Sequence, residues 1–461
     1  MIQHHNRQTN TGAPVFLSKH AISQEVLFER AAEPYSEFAE KLALLKQRQQ
    51  IFAALPVTKR AALLSEFGSR LKAKRAELAR MVCEEVGRCL RECEAELDKS
   101  VELIHYYSHL SPELLAHKTI ATQASLSQVR FEPLGVVLAV MPWNYPVWQI
   151  LRFAVSALCA GNACAVKPAP SVARVTAALF DLVGDDLPFI PAWLAHEDLE
   201  HAIADADALA FTGSVETGRI LAGYAGRHLK KTVLELGGSN AFIVLPDADL
   251  AQAAKDACYS RFRDAGQSCN AAKRIIVTEA VAEEFTGLFL KECACLKTGN
   301  PMLPETTLAP LHSEDLRNQI HGQVQDAVAN GAEILCGGFL PESKGWFYPA
   351  TVLADVNPDC RVYHEEVFGP VAVLLRARDA EDAVRLANDN PFGLGASIYT
   401  GNEEAAWQYA QKLQTGAVYI NRHTSSDLRL PFGGVKASGF GRELSEFGLY
   451  EFVNVKTYWQ K

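Results

Sequence analysis

Gly266-Gln267-Ser268-Cys269-Asn270-Ala271-Ala272 sets one cysteine among polar neighbours, just ahead of the apolar run Arg274-Ile275-Ile276-Val277. That order predicts a reactive loop feeding a buried strand, and so an α/β architecture with its chemistry at a strand end. A buried structural cysteine is the alternative, but Gln267, Ser268 and Asn270 fit a cleft better than a core. Upstream, Glu235-Leu236-Gly237-Gly238-Ser239-Asn240 joins a carboxylate to two glycines. A thiol that attacks a carbonyl acts as the thiolate and later needs a base to activate water; Cys269 and Glu235 can supply both. Asn144, in Pro142-Trp143-Asn144-Tyr145-Pro146, can donate an amide N–H to the oxyanion formed between them.

The flanking sequence supports the α/β reading. Short apolar runs at Gly135–Val140, Ala163–Val166 and Ala208–Phe211 alternate with helix-like stretches at Val147–Cys159 and Val172–Val183. This alternation predicts a parallel sheet with helices on both faces. Ala241–Leu245 and Arg274–Val277 begin a second α/β region. Glu37 to His109 is helical by its apolar spacing, with a start at Pro56-Val57-Thr58 and an interruption at Gly87. Residues 1–35 read as a loose arm, and His117–Arg130 as a protruding hairpin.

The three chemical segments together resemble the aldehyde dehydrogenase superfamily. The resemblance extends through Phe211-Thr212-Gly213-Ser214, Glu365-Glu366-Val367-Phe368-Gly369-Pro370 and Pro431-Phe432-Gly433-Gly434-Val435-Lys436, in the family's order. It implies a Rossmann-like cofactor domain (residues 1–116 and 133–236), an α/β catalytic domain (237–440) and a small oligomerisation element (117–132 with 445–461). It also implies a homodimer or homotetramer, Cys269 as nucleophile, Glu235 as base and Asn144 with the Cys269 backbone N–H as the oxyanion site. Glu443 matches a proton-relay glutamate of some members; a helix-start carboxylate is the equal alternative.

NAD or NADP is the implied cofactor, although no Gly-x-Gly-x-x-Gly follows a strand. Gly213 and Ser214 open a helix whose N-terminus would face a pyrophosphate. Lys167 matches an adenosine-ribose ligand, Glu366 a ligand of the nicotinamide-side ribose, Phe368 a ring contact, and Trp143 belongs to the same surface. Pro170 stands where strongly NAD-selective members carry a glutamate, so nothing at that position repels a 2′-phosphate. The connection Gly184–Asp205 is shorter than the family norm.

For the aldehyde, Arg152 and Arg263 match paired arginines with which succinate-semialdehyde dehydrogenases hold the substrate carboxylate. Ser425 or Ser426 would add a hydroxyl, and Trp148 and Phe262 apolar walls. Arg261 and Arg263 are two residues apart and cannot share a helix face, so at most one points into the tunnel. The alternatives are another semialdehyde such as glutarate semialdehyde, a neutral or aromatic aldehyde, transfer to coenzyme A (disfavoured by Glu235), or a catalytically silent protein on this fold.

Composition narrows the field. The chain has 461 residues, 48% hydrophobic and 21% charged, with net charge −9. It is long enough for two or three domains. The acidic balance gives no support to nucleic-acid binding. No apolar run reaches a bilayer's span and no secretory signal opens the chain, so a cytoplasmic protein without membrane partners is expected. Eleven cysteines cannot all pair, which fits reduced thiols. Cys89 and Cys93, with no second pair nearby, do not make a metal site.

Overall fold

The computed structural model describes residues 14–461. Two parallel sheets carry the molecule. The first has six strands, in spatial order Gly439–Phe440, Lys231–Glu235, Ala208–Thr212, Val136–Val140, Ala163–Lys167 and Phe189–Pro191. All of its pairings are parallel except that of Gly439–Phe440. Val136–Val140 is buried at every position, which explains why it reads as an unbroken apolar run and not as an alternation. From this strand the chain winds outward to one side, returns to Ala208–Thr212 on the other side, and thus creates a switch point between the two. In such sheets ligands bind beyond the carboxyl ends of the strands at that point.

The helix Pro146–Cys159 follows the central strand and is buried along its whole length. Pro146 occupies the first turn, where its missing N–H costs nothing. The helical N-terminal region resolves into Tyr35–Ala53, Val57–Ala73, Arg75–Val86 and Leu90–Leu114. Gly87 ends the third of these in the left-handed conformation that glycine adopts freely.

The second sheet has seven strands, in order Glu333–Cys336, Thr351–Ala354, Val371–Ala377, Ala272–Thr278, Asn240–Val244, Gly395–Tyr399 and Ala417–Ile420. Its centre is apolar on both faces, and only the first pairing is antiparallel. A third sheet joins Lys118–Thr119, Leu126–Pro133 and Val453–Gln460, so the hairpin expected near His117–Arg130 does form and pairs with the C-terminal strand. No helix among the described residues is long and apolar enough to cross a membrane.

One expectation needs correction. Residues 14–35 are not a loose arm. Val15–Lys19 and Val26–Ala31 make an antiparallel hairpin. Phe16 and Ser18 alternate inward, and Phe16 meets Trp193 edge to face at 5.1 Å. Five residues of alternation beside His20-Ala21-Ile22 are too short to stand out, and the packing that fixes them comes from residue 193. His4 and His5 lie outside the described residues.

Candidate active site

The carboxyl ends of four neighbouring strands deliver most of the site. Val136–Val140 leads to Trp143 and Asn144, Ala163–Lys167 ends on Lys167, Ala208–Thr212 leads to Gly213 and Ser214, and Lys231–Glu235 ends on Glu235. The second sheet contributes from the opposite direction. Cys269 precedes the strand Ala272–Thr278 at its amino end. Sequence reasoning named all of these residues, and the two sheets bring them face to face.

Cys269 lines a cavity of about 160 Å³ together with Arg152, Arg263 and Ser426. Its loop is held from behind by Lys273, whose ammonium donates to the carbonyls of Ser268 and Cys269 at 2.9 Å each and pairs with Glu366 at 2.9 Å. Burial pushes the Cys269 thiol up to about 11, against the pull of Arg152 and Lys273. The resting thiol is therefore neutral near pH 7 and needs a base. Asn144 donates one amide N–H to the Gln267 carbonyl at 3.0 Å, which leaves its second N–H for an oxyanion.

Glu235 is buried, and one carboxyl oxygen has no hydrogen-bond partner. Burial first, then the charge of Glu443, holds its carboxyl well above the usual range; Arg152 and Arg442 oppose this. The glycines of Pro431-Phe432-Gly433-Gly434 make room for it, since a Cβ on Gly433 would stand 2.7 Å from Glu235 Oε1. Glu443 is not in a first helical turn. Its backbone pairs with Phe432 and its buried side chain forms an ion pair with Arg152.

A second layer of charge supports Asn144. Arg88 is buried and pairs with both Glu96 and Asp264, the latter at 2.6 Å. It also donates to the Asn144 carbonyl at 3.2 Å. Glu96 Oε1 accepts from the backbone N–H groups of Val147 and Trp148 at 2.9 Å each, capping the buried helix. Tyr145 donates its hydroxyl to Asp264. The Arg88–Glu96–Asp264 set thus ties the oxyanion segment to the cysteine loop.

The cofactor residues also gather. Trp143 stacks on His312 at 4.1 Å and meets Phe368 edge-on at 5.9 Å. His312 contacts Ser171 Oγ at 2.8 Å, beside Pro170, which opens a short 3₁₀ turn. Burial lowers the His312 imidazole to about 4, so it is neutral. Ser214 caps the helix Val215–Arg227 by accepting from the Thr217 N–H. Lys167 fits an absent anionic or hydroxylated ligand: it is buried, lowered to about 8 by burial, and has one long hydrogen bond, 3.3 Å to the Pro168 carbonyl. A buried ammonium so poorly satisfied is costly unless a ligand completes it.

Of the expected substrate residues, Arg152, Arg263, Trp148 and Ser426 line the cavity. Ser425 is not among the lining residues; its backbone carbonyl accepts from the Tyr419 hydroxyl. Phe262 is a core residue stacked on Phe289 at 6.2 Å. Arg261 points away and donates to the carbonyls of Gly266 and Val367 at 3.1 and 3.3 Å and to that of Gly369. Sequence reading missed Lys99, Arg88, Glu96, Lys273 and His312. Only Lys273 left a trace, as one of two adjacent charges, with Arg274, at the head of an apolar strand.

The comparisons agree with this geometry. The succinate semialdehyde dehydrogenase Sad of Escherichia coli (strain K12), named for NAD(P)+, is 43% identical over 409 residues, covering 87% of this chain and 88% of that protein. A succinate-semialdehyde dehydrogenase of Deinococcus radiodurans, named for NADP+, is 41% identical over 432 residues, covering 92% and 91%. The crystal structure of succinic semialdehyde dehydrogenase from Streptococcus pyogenes with NADP+ superposes with a TM-score of 0.93 at 33% identity, covering 96% of this chain and 99% of that one. The aldehyde dehydrogenase family matches residues 12–458. With the family model matching almost the whole chain and relatives above 40% identity covering most of it, this chain belongs to the aldehyde dehydrogenase family.

Proposed function

We propose that the chain oxidises succinate semialdehyde to succinate with NADP or NAD. The observation that carries this reading is the convergence of Cys269, Arg263 and Ser426 on one cavity beside the buried Glu235. A nucleophile at one end and cations further along suit a short aldehyde with a distal carboxylate. The named activities of the relatives support the same substrate.

Glu235 takes the proton of Cys269, directly or through water, and the thiolate adds to the aldehyde carbon. The second N–H of Asn144 and the Cys269 backbone N–H hold the resulting oxyanion. A nicotinamide cofactor held by the residues named below would supply the hydride acceptor for the thiohemiacetal carbon. A thioester on Cys269 remains. Glu235 then draws a proton from water, which attacks the thioester and releases the acid and the thiol. Glu443, paired with Arg152, is placed to carry off the proton that Glu235 took from Cys269, which must leave before Glu235 can accept one from water; the water proton returns to the cysteine sulfur. The balance is aldehyde, oxidised cofactor and water giving carboxylic acid, reduced cofactor and a proton.

Lys167, Trp143, Gly213, Ser214, Glu366 and Phe368 would hold the cofactor. Pro170 presents no carboxylate to a 2′-phosphate, which supports NADP, as do the names of the relatives. We assign residues 1–116 with 133–236 to a cofactor domain, 237–440 to a catalytic domain and 117–132 with 445–461 to subunit contact. Exposed Trp459, Val455, Leu126 and Ile120 on the third sheet support a homodimer or homotetramer. Eleven cysteines, all free, support a reducing, cytoplasmic setting.

The test is absorbance at 340 nm with succinate semialdehyde and either cofactor. Reduction is expected, lost in Cys269→Ser. Rates no higher than with hexanal would overturn the substrate.

A further inference from the structure

Beyond Arg88, which is committed to Glu96 and Asp264, the cavity that holds Cys269 is lined by three cations, and they are not equally free. Arg152 is paired with Glu443. Arg263 touches Tyr259, and the acidic partner it reaches among the described residues is Asp264, at a long 3.7 Å, which is already bound to Arg88 and Tyr145. The third cation is Lys99, on the helix Leu90–Leu114, one turn beyond Ala95 and on the same face.

Lys99 is partly buried, yet its direct hydrogen-bond partners are neutral. Its ammonium donates to the Ser426 carbonyl at 2.8 Å and to the Ser426 hydroxyl, and lies 4.7 Å from the centre of the Trp148 ring. Asp427, the acidic residue just beyond Ser426, is spent on Arg429 at 2.7 Å. A charge buried without a counter-ion is costly, and a bound anion would relieve that cost. Placement agrees with this. Lys99, Ala95 and Ser426 line both the cavity of Cys269 and an adjoining outer one, so the Lys99–Ser426 contact stands where the two meet.

We propose that Lys99 is a specificity-determining residue, which with Arg263 and Ser426 forms the subsite for the distal carboxylate of the substrate. The assignment rests on the carboxylated-aldehyde reading above. It gives the carboxylate a cation not already committed to a protein carboxylate, and leaves Arg152 to share its charge with Glu443.

The experiment compares kcat/KM for succinate semialdehyde and for butanal, a neutral aldehyde of the same carbon count, in the wild type, Lys99→Met and Lys99→Arg. Only the ratio of the two is read. Lys99→Met should lower it about 10- to 100-fold, the worth of one charge-assisted hydrogen bond, mainly through KM, and Lys99→Arg should restore most of it. A fall below about threefold would overturn Lys99. If the wild type itself showed no preference for the semialdehyde, the substrate reading would fail first.

A second measurement follows the same ratio with pH. Burial, then Arg263 and Arg152, lower the Lys99 ammonium to about 8. Its charge is present below that pH and lost above it. The ratio in the wild type should therefore fall between pH 7 and 9.5. The other charged groups lining the two cavities with Lys99 are Arg88, Arg152, Arg263, Arg429, Glu92, Glu96, Asp98, Glu102, Asp264 and Asp427. The arginines ordinarily titrate above that window and most of the carboxylates below it; Glu92, raised to about 7 by burial and the charge of Asp264, titrates at its lower edge, so the fall must also vanish in Lys99→Met to be assigned to Lys99. Cys269 serves both substrates and cancels. A ratio flat across the window would count against Lys99.

Discussion

Glu96 is the residue whose loss should be felt furthest from where it sits. Its carboxylate does two jobs, pairing with buried Arg88 and accepting two backbone N–H groups at the start of the helix Pro146–Cys159. Removing one partner of a buried ion pair costs about 3–5 kcal/mol. Arg88 keeps Asp264, so the lower end applies. Each orphaned N–H at the helix start adds about 1 kcal/mol. Glu96→Ala should thus destabilise by about 4–6 kcal/mol, allowing for the overlap of the two losses. Glu96→Gln keeps the acceptor and loses only the charge, and should fall between that variant and the wild type. Activity should fall as well, because Arg88 also holds the Asn144 carbonyl; a displacement of about 1 Å at an oxyanion donor can cost about 100-fold. The assay is urea unfolding followed by tryptophan fluorescence, read as a midpoint because a chain with two sheets need not unfold in one step. Arg376→Ala is the yardstick, since it breaks an exposed pair with Glu283 of a kind that contributes at most about 1 kcal/mol. A midpoint shift for Glu96→Ala no larger than that of Arg376→Ala would refute the reasoning.

Other outcomes follow from the same structure. Alkylation of Cys269 by iodoacetamide in the free enzyme should speed up about tenfold per pH unit from 7 toward the thiol's raised value near 11, because only the thiolate reacts; a plateau by pH 8 would show the thiol is already ionised. Glu235→Gln should lower steady-state turnover by about 10²–10⁴, with the acyl-enzyme visible by mass spectrometry if hydrolysis is the blocked step; equal loss of acylation would instead place the proton removal from Cys269 on Glu235 alone. Gly266→Ala should give insoluble or inactive protein, since φ is +72° there and the new Cβ would lie 2.4 Å from the Gly369 carbonyl oxygen; near-normal activity would mean the Cys269 loop can be rebuilt.

What the sequence made legible is what local pattern encodes. Val136–Val140 and Ala163–Lys167 read as strands because parallel strands buried on both faces are unbroken apolar runs. Cys269, Glu235 and Asn144 stood out because each sits in a polar or glycine-rich break beside such a run. Of the residues that were missed, Lys99 and Glu96 sit on the helix Leu90–Leu114 and Arg88 just ahead of it, where a charge reads as solvated by default. Lys99, Glu96 and Arg88 look like surface charges in one dimension, and only the packing of Leu90–Leu114 against Pro146–Cys159 turns them inward. The hairpin at 14–31 was illegible for a related reason, since Trp193, its packing partner, is remote in the sequence.

The strand Gly439–Phe440 lies beside Lys231–Glu235, with Gly439 opposite Glu235 itself. This pairing joins parts of the chain roughly two hundred residues apart, and such contacts form late because loop-closure entropy must be met before they repay it. During synthesis the cysteine loop leaves the ribosome well before the segment that flanks the general base. A nascent or truncated polypeptide therefore carries the thiol without a finished partner for it, and turnover becomes a report on completed folding. Refolding followed by enzymatic activity should lag refolding followed by helical signal, with the delay set by the capture of this single distant strand.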